Sequence, residues 1–247
     1  MNKPLRPLLG LLLLPLLAHA ADAERPVTVP VPRYEIKRAT SALAIDGRLD
    51  EAAWKNAETV TLQFPWDTQT GAKQKTTIRL LWDDEYLYAA FACDDADIVA
   101  HHAQHDDPTY KDDAVELFLN PNPKHTVYLG LEMNARAVLY DYLYIFPQPL
   151  LKSYELKGVK LASRLDGTLN LTSDTDRGWE LEVAIPLANF SELMGGKPVV
   201  NGTEWSANLN RWDGTEPNRR LSVWSDTAMT RPNPHNPKRF GQLVFVK

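Results

Sequence analysis

One cysteine, Cys93, stands in 247 residues. An internal disulfide is therefore excluded, and a hydrophobic core must hold the fold. Cys93 lies in an apolar run, which predicts a small buried hydrophobe. Long hydrophobic runs are scarce as well. Leu8 to Leu17 is the longest, and Gly10 and Pro15 break it, leaving it too short for a comfortable membrane span. No basic cluster stands out and the net charge is −5. Nucleic acid and anionic membranes are therefore not expected as partners. The G-x-S-x-G elbow, the H-E-x-x-H zinc motif, the EF-hand loop, a phosphate-cradling glycine loop and the dinucleotide fingerprint are all absent. The chemistry that each of these carries loses its usual sequence support.

What is present begins with an export signal. Lys3 and Arg6 form a positive start, the Leu8–Leu17 run follows, and Ala18-His19-Ala20 is a small-x-small cleavage site. Residues 1–20 are expected to be a signal peptide, with the mature protein secreted or periplasmic and not inserted in a membrane. Removing Lys3 and Arg6 takes the charge from −5 to −7. Residues 21–33, rich in Pro and Val, read as an extended leader. Residues 34–247 read as one domain, since no repeat or linker interrupts them.

That domain alternates with period two. Thr76 to Trp82 and Tyr86 to Cys93 predict a hairpin around Asp83-Asp84-Glu85. Thr126 to Asn134 and Val138 to Ile145 predict another. Lys157 to Arg164 and Thr168 to Ser173 flank the turn signal Asp166-Gly167. Trp179, Leu181, Val183 and Ile185 alternate with Glu180, Glu182 and Ala184, and Pro186 ends the run. Trp205 to Arg211, Leu221 to Trp224 and Gly241 to Val246 add strands. Leu187 to Met194 reads as a short helix. The fold class is all-β, an antiparallel sandwich with short helical turns.

The stretch Tyr110-Lys111-Asp112-Asp113-Ala114-Val115-Glu116-Leu117-Phe118-Leu119-Asn120 carries the most chemistry. Glu116 sits in mid-strand with a flat ring just upstream. A ring stacks on the CH face of a sugar, and a carboxylate accepts its hydroxyls. Seven Trp add to this signal. Trp54, Trp82, Trp179 and Trp205 read as core, whereas Tyr110, Trp66 and Trp212 lie beside loops and suit exposed stacking. Asn208 and Asn210 share one strand face. His101, His102, His105, Asp106 and Asp107 form the densest ligand cluster, although Pro108 argues against the helix that would align them. The acidic loop from Asp94 to Asp113 suits Ca²⁺, with ligands unassigned. Glu116, Glu132 and Glu180 lie on strands and read as polar-face or ligand-binding residues.

In order along the chain come Ile45-Asp46-Gly47-x-Leu49-Asp50-Glu51-x-x-Trp54, Leu81-Trp82-Asp83-Asp84-Glu85-Tyr86-Leu87-Tyr88, Asp112-Asp113-Ala114-Val115-Glu116-Leu117-Phe118, Gly178-Trp179-x-x-Glu182-Val183-Ala184-Ile185-Pro186, Trp224-Ser225 and Arg239-Phe240-Gly241-x-Leu243-Val244-Phe245. This series resembles the family 9 carbohydrate-binding modules and their DOMON-like relatives, from about Tyr34 to Lys247. The resemblance implies an immunoglobulin-like or DOMON-like sandwich with structural Ca²⁺ and a carbohydrate ligand held between two rings. It places the first ring at Tyr110, the carboxylate at Glu116, and polar neighbours at Glu132, Asn134, Asn210 and Arg211. The second ring is expected in the loop Thr230 to Pro237, where no Trp, Tyr or Phe occurs. Pro234 or His235 would face the ligand there, so weak binding is expected. A DOMON-like haem-binding or electron-transfer partner domain is the alternative, with Met133 as the axial candidate. An enzyme acting on glycosides is a third reading.

Overall fold

The computed structural model describes residues 23–247. The expected signal peptide and its cleavage site lie outside the described residues. Thirteen strands occur among the described residues: β1 (Arg33–Arg38), β2 (Val60–Thr61), β3 (Thr76–Trp82), β4 (Tyr86–Asp94), β5 (Ala114–Asn120), β6 (Val127–Asn134), β7 (Leu139–Ile145), β8 (Leu150–Leu151), β9 (Lys160–Asp166), β10 (Gly178–Pro186), β11 (Glu204–Asp213), β12 (Arg220–Val223) and β13 (Gly241–Phe245). They run side by side as β8-β7-β6-β5-β11-β13-β1-β3-β4-β10-β9, with β12 on β11 and β2 on β3. Every ladder is antiparallel except the two that β1 makes. Arg33–Ile36 pairs with β13, and Lys37–Arg38 pairs with β3. A single strand thus passes from one sheet to the other and joins them along one side.

The alternation explains the core. Val115, Leu117 and Leu119 of β5, Leu129, Leu131 and Met133 of β6, and Leu209 of β11 point inward. They meet Ile78, Leu80, Phe91, Cys93, Trp179, Leu181 and Val183 of the facing sheet. Burying one such side chain contributes about 1.5–3 kcal/mol. Cys93 is fully enclosed, and burial pushes its thiol up to about 12. Met133 is at 0 % exposure among these apolar residues, which suits packing and not an axial ligand.

The outer face of the β3-β4-β10 sheet is covered by the segment around Trp54, packed on Leu81, Tyr88 and Ala184. Glu182 fastens it. Its carboxylate accepts the Trp54 indole N–H at 2.9 Å and the backbone N–H groups of Asp46 and Gly47 at 3.2 and 3.1 Å. Gly47 has φ +83, and a Cβ there would lie 2.6 Å from the Ser163 backbone. The Asp46-Gly47 turn therefore requires glycine.

Three local expectations need correction. Thr168 to Ser173 is not a strand; β9 pairs instead with β10. Asn170 takes φ 60, which interrupts an extended run, and its side-chain amide exchanges hydrogen bonds with the Ala100 backbone. The Leu187 helix is a single 3-10 turn, Leu187–Phe190. Trp66 is 3 % exposed and donates its indole N–H to the Met229 carbonyl at 2.8 Å. It packs with Leu221 and Val223, so it is not available for stacking.

Candidate functional site

The outer face of the β7-β6-β5-β11 sheet carries a polar row one residue wide. Asn210 of β11 pairs with Glu116 of β5, Glu116 with Glu132 of β6, and Glu132 with Tyr140 of β7. Directly opposed side chains in such ladders approach to about 5 Å. The row next to it is Asn208, Phe118, Gly130 and Tyr142. Gly130 leaves space for the Tyr142 ring, which a Cβ would overlap. Phe118, Tyr128, Tyr140, Tyr142 and Phe240 form an apolar platform beside the carboxylates.

Above this surface lies a cleft of about 810 Å³, within the range of small-ligand sites. Tyr110, Glu116, Glu132, Tyr140, Trp212, Arg219 and His235 are among its walls. Tyr110 is 37 % exposed, with its ring centroid 5.9 Å from that of Tyr140. His235 stacks flat on Phe118 at 4.8 Å, and its Nδ1 lies 2.6 Å from the Tyr128 hydroxyl. Burial pushes the His235 imidazole down to about 4, so it is neutral at physiological pH.

Both carboxyls of the row are raised. Burial pushes Glu116 up to about 8, opposed by the Asn210 hydrogen bond, the Arg219 charge and a Trp212 hydrogen bond. Burial and the charge of Glu116 hold Glu132 well above the usual carboxylate range. The Tyr142 hydroxyl donates to Glu132 Oε1 at 2.8 Å, and the Asn210 amide donates to Glu116 Oε2 at 3.2 Å. Glu132 Oε2 and Asn210 Oδ1 are buried with no hydrogen-bond partner among the described residues. Such atoms cost about 1–3 kcal/mol each until something donates to them.

Arg219 braces the walls. Its guanidinium donates to the carbonyls of Lys111 at 2.8 Å, Gly214 and Asp112 at 3.2 Å each, and Tyr110. It also lies 5.0 Å over the Trp212 ring. One side chain thereby fixes the Tyr110 turn against the end of β11.

Of the residues singled out in the sequence, Tyr110, Glu116, Glu132, Trp212, Pro234 and His235 meet at the cleft. Asn210 stands behind Glu116. Asn134 is set apart: its amide donates to Asp112 Oδ2 and the His102 carbonyl, both at 2.8 Å. Its Oδ1 accepts the N–H groups of Arg136 and Val138. Arg211 is on the wrong face. Strand alternation turns it inward, where it is fully buried and pairs with Asp95 at 2.8 Å and Asp213 at 2.7 Å. The cation near Glu116 is Arg219. Trp212 supplies a second ring from β11, not from the Thr230–Pro237 loop. Trp212 is two residues beyond Asn210 and so on the same face; that parity is the available signal. For Arg219, Tyr140 and Lys152, whose ammonium sits at the cleft 5.5 Å over the Tyr140 ring, the sequence offers none.

The acidic loop mostly serves architecture. Asp112 accepts the His101 and His102 backbone N–H groups at 3.1 Å, and its Oδ1 lies 3.0 Å from His102 Nδ1. Asp113 accepts the Val99 and Gly214 N–H groups at 2.6 and 2.7 Å. Asp95, Asp113 and Asp213 cluster within 4.8 Å. Arg211 and Arg220 neutralise them, so this trio does not fit Ca²⁺. Asp46, Glu51 and Glu182 form a second all-oxygen trio. Glu51 Oε2 is buried with no partner among the described residues, and burial raises Glu182 to about 7. This group fits a hard cation.

Residues 45–247 match the family described as carbohydrate family 9 binding domain-like. The chain is 28% identical over 209 residues to endo-1,4-beta-xylanase C of Paenibacillus barcinonensis, covering 82% of this chain. It spans 16% of that relative's length. A candidate carbohydrate-binding protein from Bacteroides uniformis superposes with TM-score 0.71 at 18% identity, covering 87% of this chain and 99% of that one. A carbohydrate binding module family 9 from Caldicellulosiruptor kristjanssonii in complex with cellotriose gives TM-score 0.61 at 18% identity, with 87% and 93% covered.

Proposed function

Because the chain belongs to the carbohydrate family 9 binding domain-like family, we propose that its cleft is a carbohydrate-binding site for a β-1,4-linked glycan. The observation that carries this is a buried row of polar oxygens beside the exposed Tyr110 ring and the half-buried Trp212 ring. Glu132 Oε2 and Asn210 Oδ1 lack donors, and sugar hydroxyls are donors of the right size. Tyr110 and Trp212 supply flat apolar faces for the sugar CH groups. With Glu116 raised to about 8 and Glu132 held well above the usual range, both carboxyls keep their proton near neutral pH and can donate to sugar hydroxyls as well as accept from them. The ligand class follows from the names of the similar proteins, a xylanase and a module holding cellotriose. We place the protein outside the cytoplasm, where such polymers occur, on the strength of the signal-like segment at Lys3 to Ala20. Asp46, Glu51 and Glu182 would hold a structural Ca²⁺, which would neutralise their charge and stiffen the Trp54 segment.

Affinity is set by two rings, one of them half-buried, so a dissociation constant of roughly 0.1 mM is expected, about 5 kcal/mol. Titration calorimetry with glucose, cellotriose and xylo-oligosaccharides tests the site. Tyr110→Ala and Glu116→Gln should each weaken binding by ~10-fold or more, about 1.4 kcal/mol. Equal binding by wild type and both variants would place the site elsewhere.

A further inference from the structure

At the edge of the sandwich, away from the sugar cleft, four side chains converge from three parts of the chain. His105 and Asp106 come from the β4–β5 loop, Asp141 from β7, and Glu155 from the segment after β8. His105 Nε2 lies 2.9 Å from Glu155 Oε2, 3.7 Å from Asp141 Oδ1 and 3.7 Å from Asp106 Oδ1. The ligand atoms of His105, Asp141 and Glu155 all lie within 4.8 Å of one another.

Asp141 is the informative member. It is fully buried, and its Oδ2 accepts the Leu156 backbone N–H at 2.6 Å. Oδ1 has no hydrogen-bond partner among the described residues and faces the imidazole at 3.7 Å. A buried carboxylate oxygen is costly unless a cation or donor meets it. Three carboxylates around one imidazole also repel each other. Burial raises both Asp141, to about 6, and Asp106 above their usual values.

We propose that His105, Asp141 and Glu155, with Asp106 alongside, form a binding site for a first-row transition-metal dication of the Zn²⁺ type. Tetrahedral ligands at Zn²⁺ bond lengths of about 2.0–2.1 Å stand roughly 3.3–3.5 Å apart. The observed separations, 2.9 and 3.7 Å, bracket that spacing. An imidazole nitrogen among carboxylates favours such a metal over Ca²⁺, which takes oxygen ligands. The hydrogen bond from Leu156 to the far oxygen of Asp141 is the outer-shell support that orients a ligand carboxylate. His105 and Glu155 are about half exposed, which provides an entry path. A bound ion would tie the β4–β5 loop to β7 and to the chain after β8.

The test is titration calorimetry and thermal melting of the untagged protein with Zn²⁺, and separately with Ca²⁺. One Zn²⁺ per chain and a raised melting temperature are expected. His105→Ala should abolish both effects, and Glu155→Gln should weaken binding at least ~10-fold. His125→Ala, outside the cluster, should leave binding unchanged. In wild type, the His105 ring resonances should shift on addition of one equivalent of Zn²⁺, a readout that needs no variant to fold. Zn²⁺ binding that survives His105→Ala overturns the proposal. So does the absence of binding below millimolar Zn²⁺, in which case His105 is a protonated bridge between carboxylates. Ca²⁺ bound equally well through these same residues would also overturn the choice of metal.

Discussion

Replacing Glu116 by Gln should stabilise the protein at alkaline pH while damaging ligand binding. The side chain is fully buried against Glu132. Unfolded, its carboxyl loses a proton near 4.5; folded, it keeps it up to about 8. Below the unfolded value both states are protonated and the group is neutral in its effect on stability. As pH rises through the window, the unfolded state releases its proton first, so stability falls by up to about 1.4 kcal/mol per pH unit. Across the window that amounts to roughly 3–5 kcal/mol. A glutamine at this position has no proton to lose and keeps the volume. It still accepts from Asn210 and offers an N–H to the unpartnered oxygen of Glu132. The variant should therefore melt higher than wild type at about pH 8.5, with the difference vanishing by about pH 4. Melting curves of both proteins across that range check this, since Asp113 and Glu182 do not sense Glu116 and cancel in the comparison, while Glu132, relieved of the Glu116 charge, shifts in the same direction. A gain that is independent of pH, or a loss at the alkaline end, would refute the reasoning. Loss of sugar affinity alongside a gain in stability is the trade-off expected where a strained polar site serves binding.

Arg219→Ala should weaken sugar binding ~10-fold or more by releasing the Tyr110 turn, and the loss should not be rescued by Lys, which cannot serve four carbonyls from one planar fork. Arg211→Met should destabilise by about 3–5 kcal/mol, because Asp95 loses its cation inside the core while Asp213 keeps only Arg220; chemical denaturation measures it, and a loss under about 1 kcal/mol would contradict the assigned network. Calcium should raise the melting temperature of metal-stripped protein, and the effect should disappear in Glu51→Gln. Purified protein should show no Soret band, since Met133 is enclosed by apolar side chains.

The fold is legible because burial on one face imposes period two. β3, β4, β5, β6, β7, β10, β11 and β13 fall where alternating residues predict them. The Thr168–Ser173 strand fails because its residues serve a loop whose backbone and side chains bond to Ala100 and Asp176. In the site, parity is decisive. Asn208 and Asn210 share one face, and the same rule sends Trp212 to that face and Arg211 to the other. The family pattern pulls Arg211 toward the ligand, and strand geometry overrides it. Asn134 obeys the parity yet is drawn into the Asp112 bracket, a long-range contact that no local pattern encodes. Arg219 is invisible to sequence because its value lies in reaching four carbonyls distributed over Tyr110 to Asp112 and Gly214.

The acidic pair Asp112-Asp113 shows how a motif can serve binding without touching ligand. Asp112 gathers the His101 and His102 amides, and Asp113 gathers those of Val99 and Gly214. Gly214 follows β11, so Asp113 joins the start of β5 to the end of the strand bearing Trp212. Tyr110 lies two residues before the pair and Glu116 three after it. The two carboxylates therefore fix the spacing between both rings and the buried oxygens. Asp113→Asn would keep one acceptor and replace the other with a donor facing the Gly214 N–H. That mismatch should shift the Trp212 end of β11 and reduce sugar affinity although Asp113 lines no part of the cleft. Full affinity in a folded Asp113→Asn variant would mean that Arg219 alone sets the geometry of the walls.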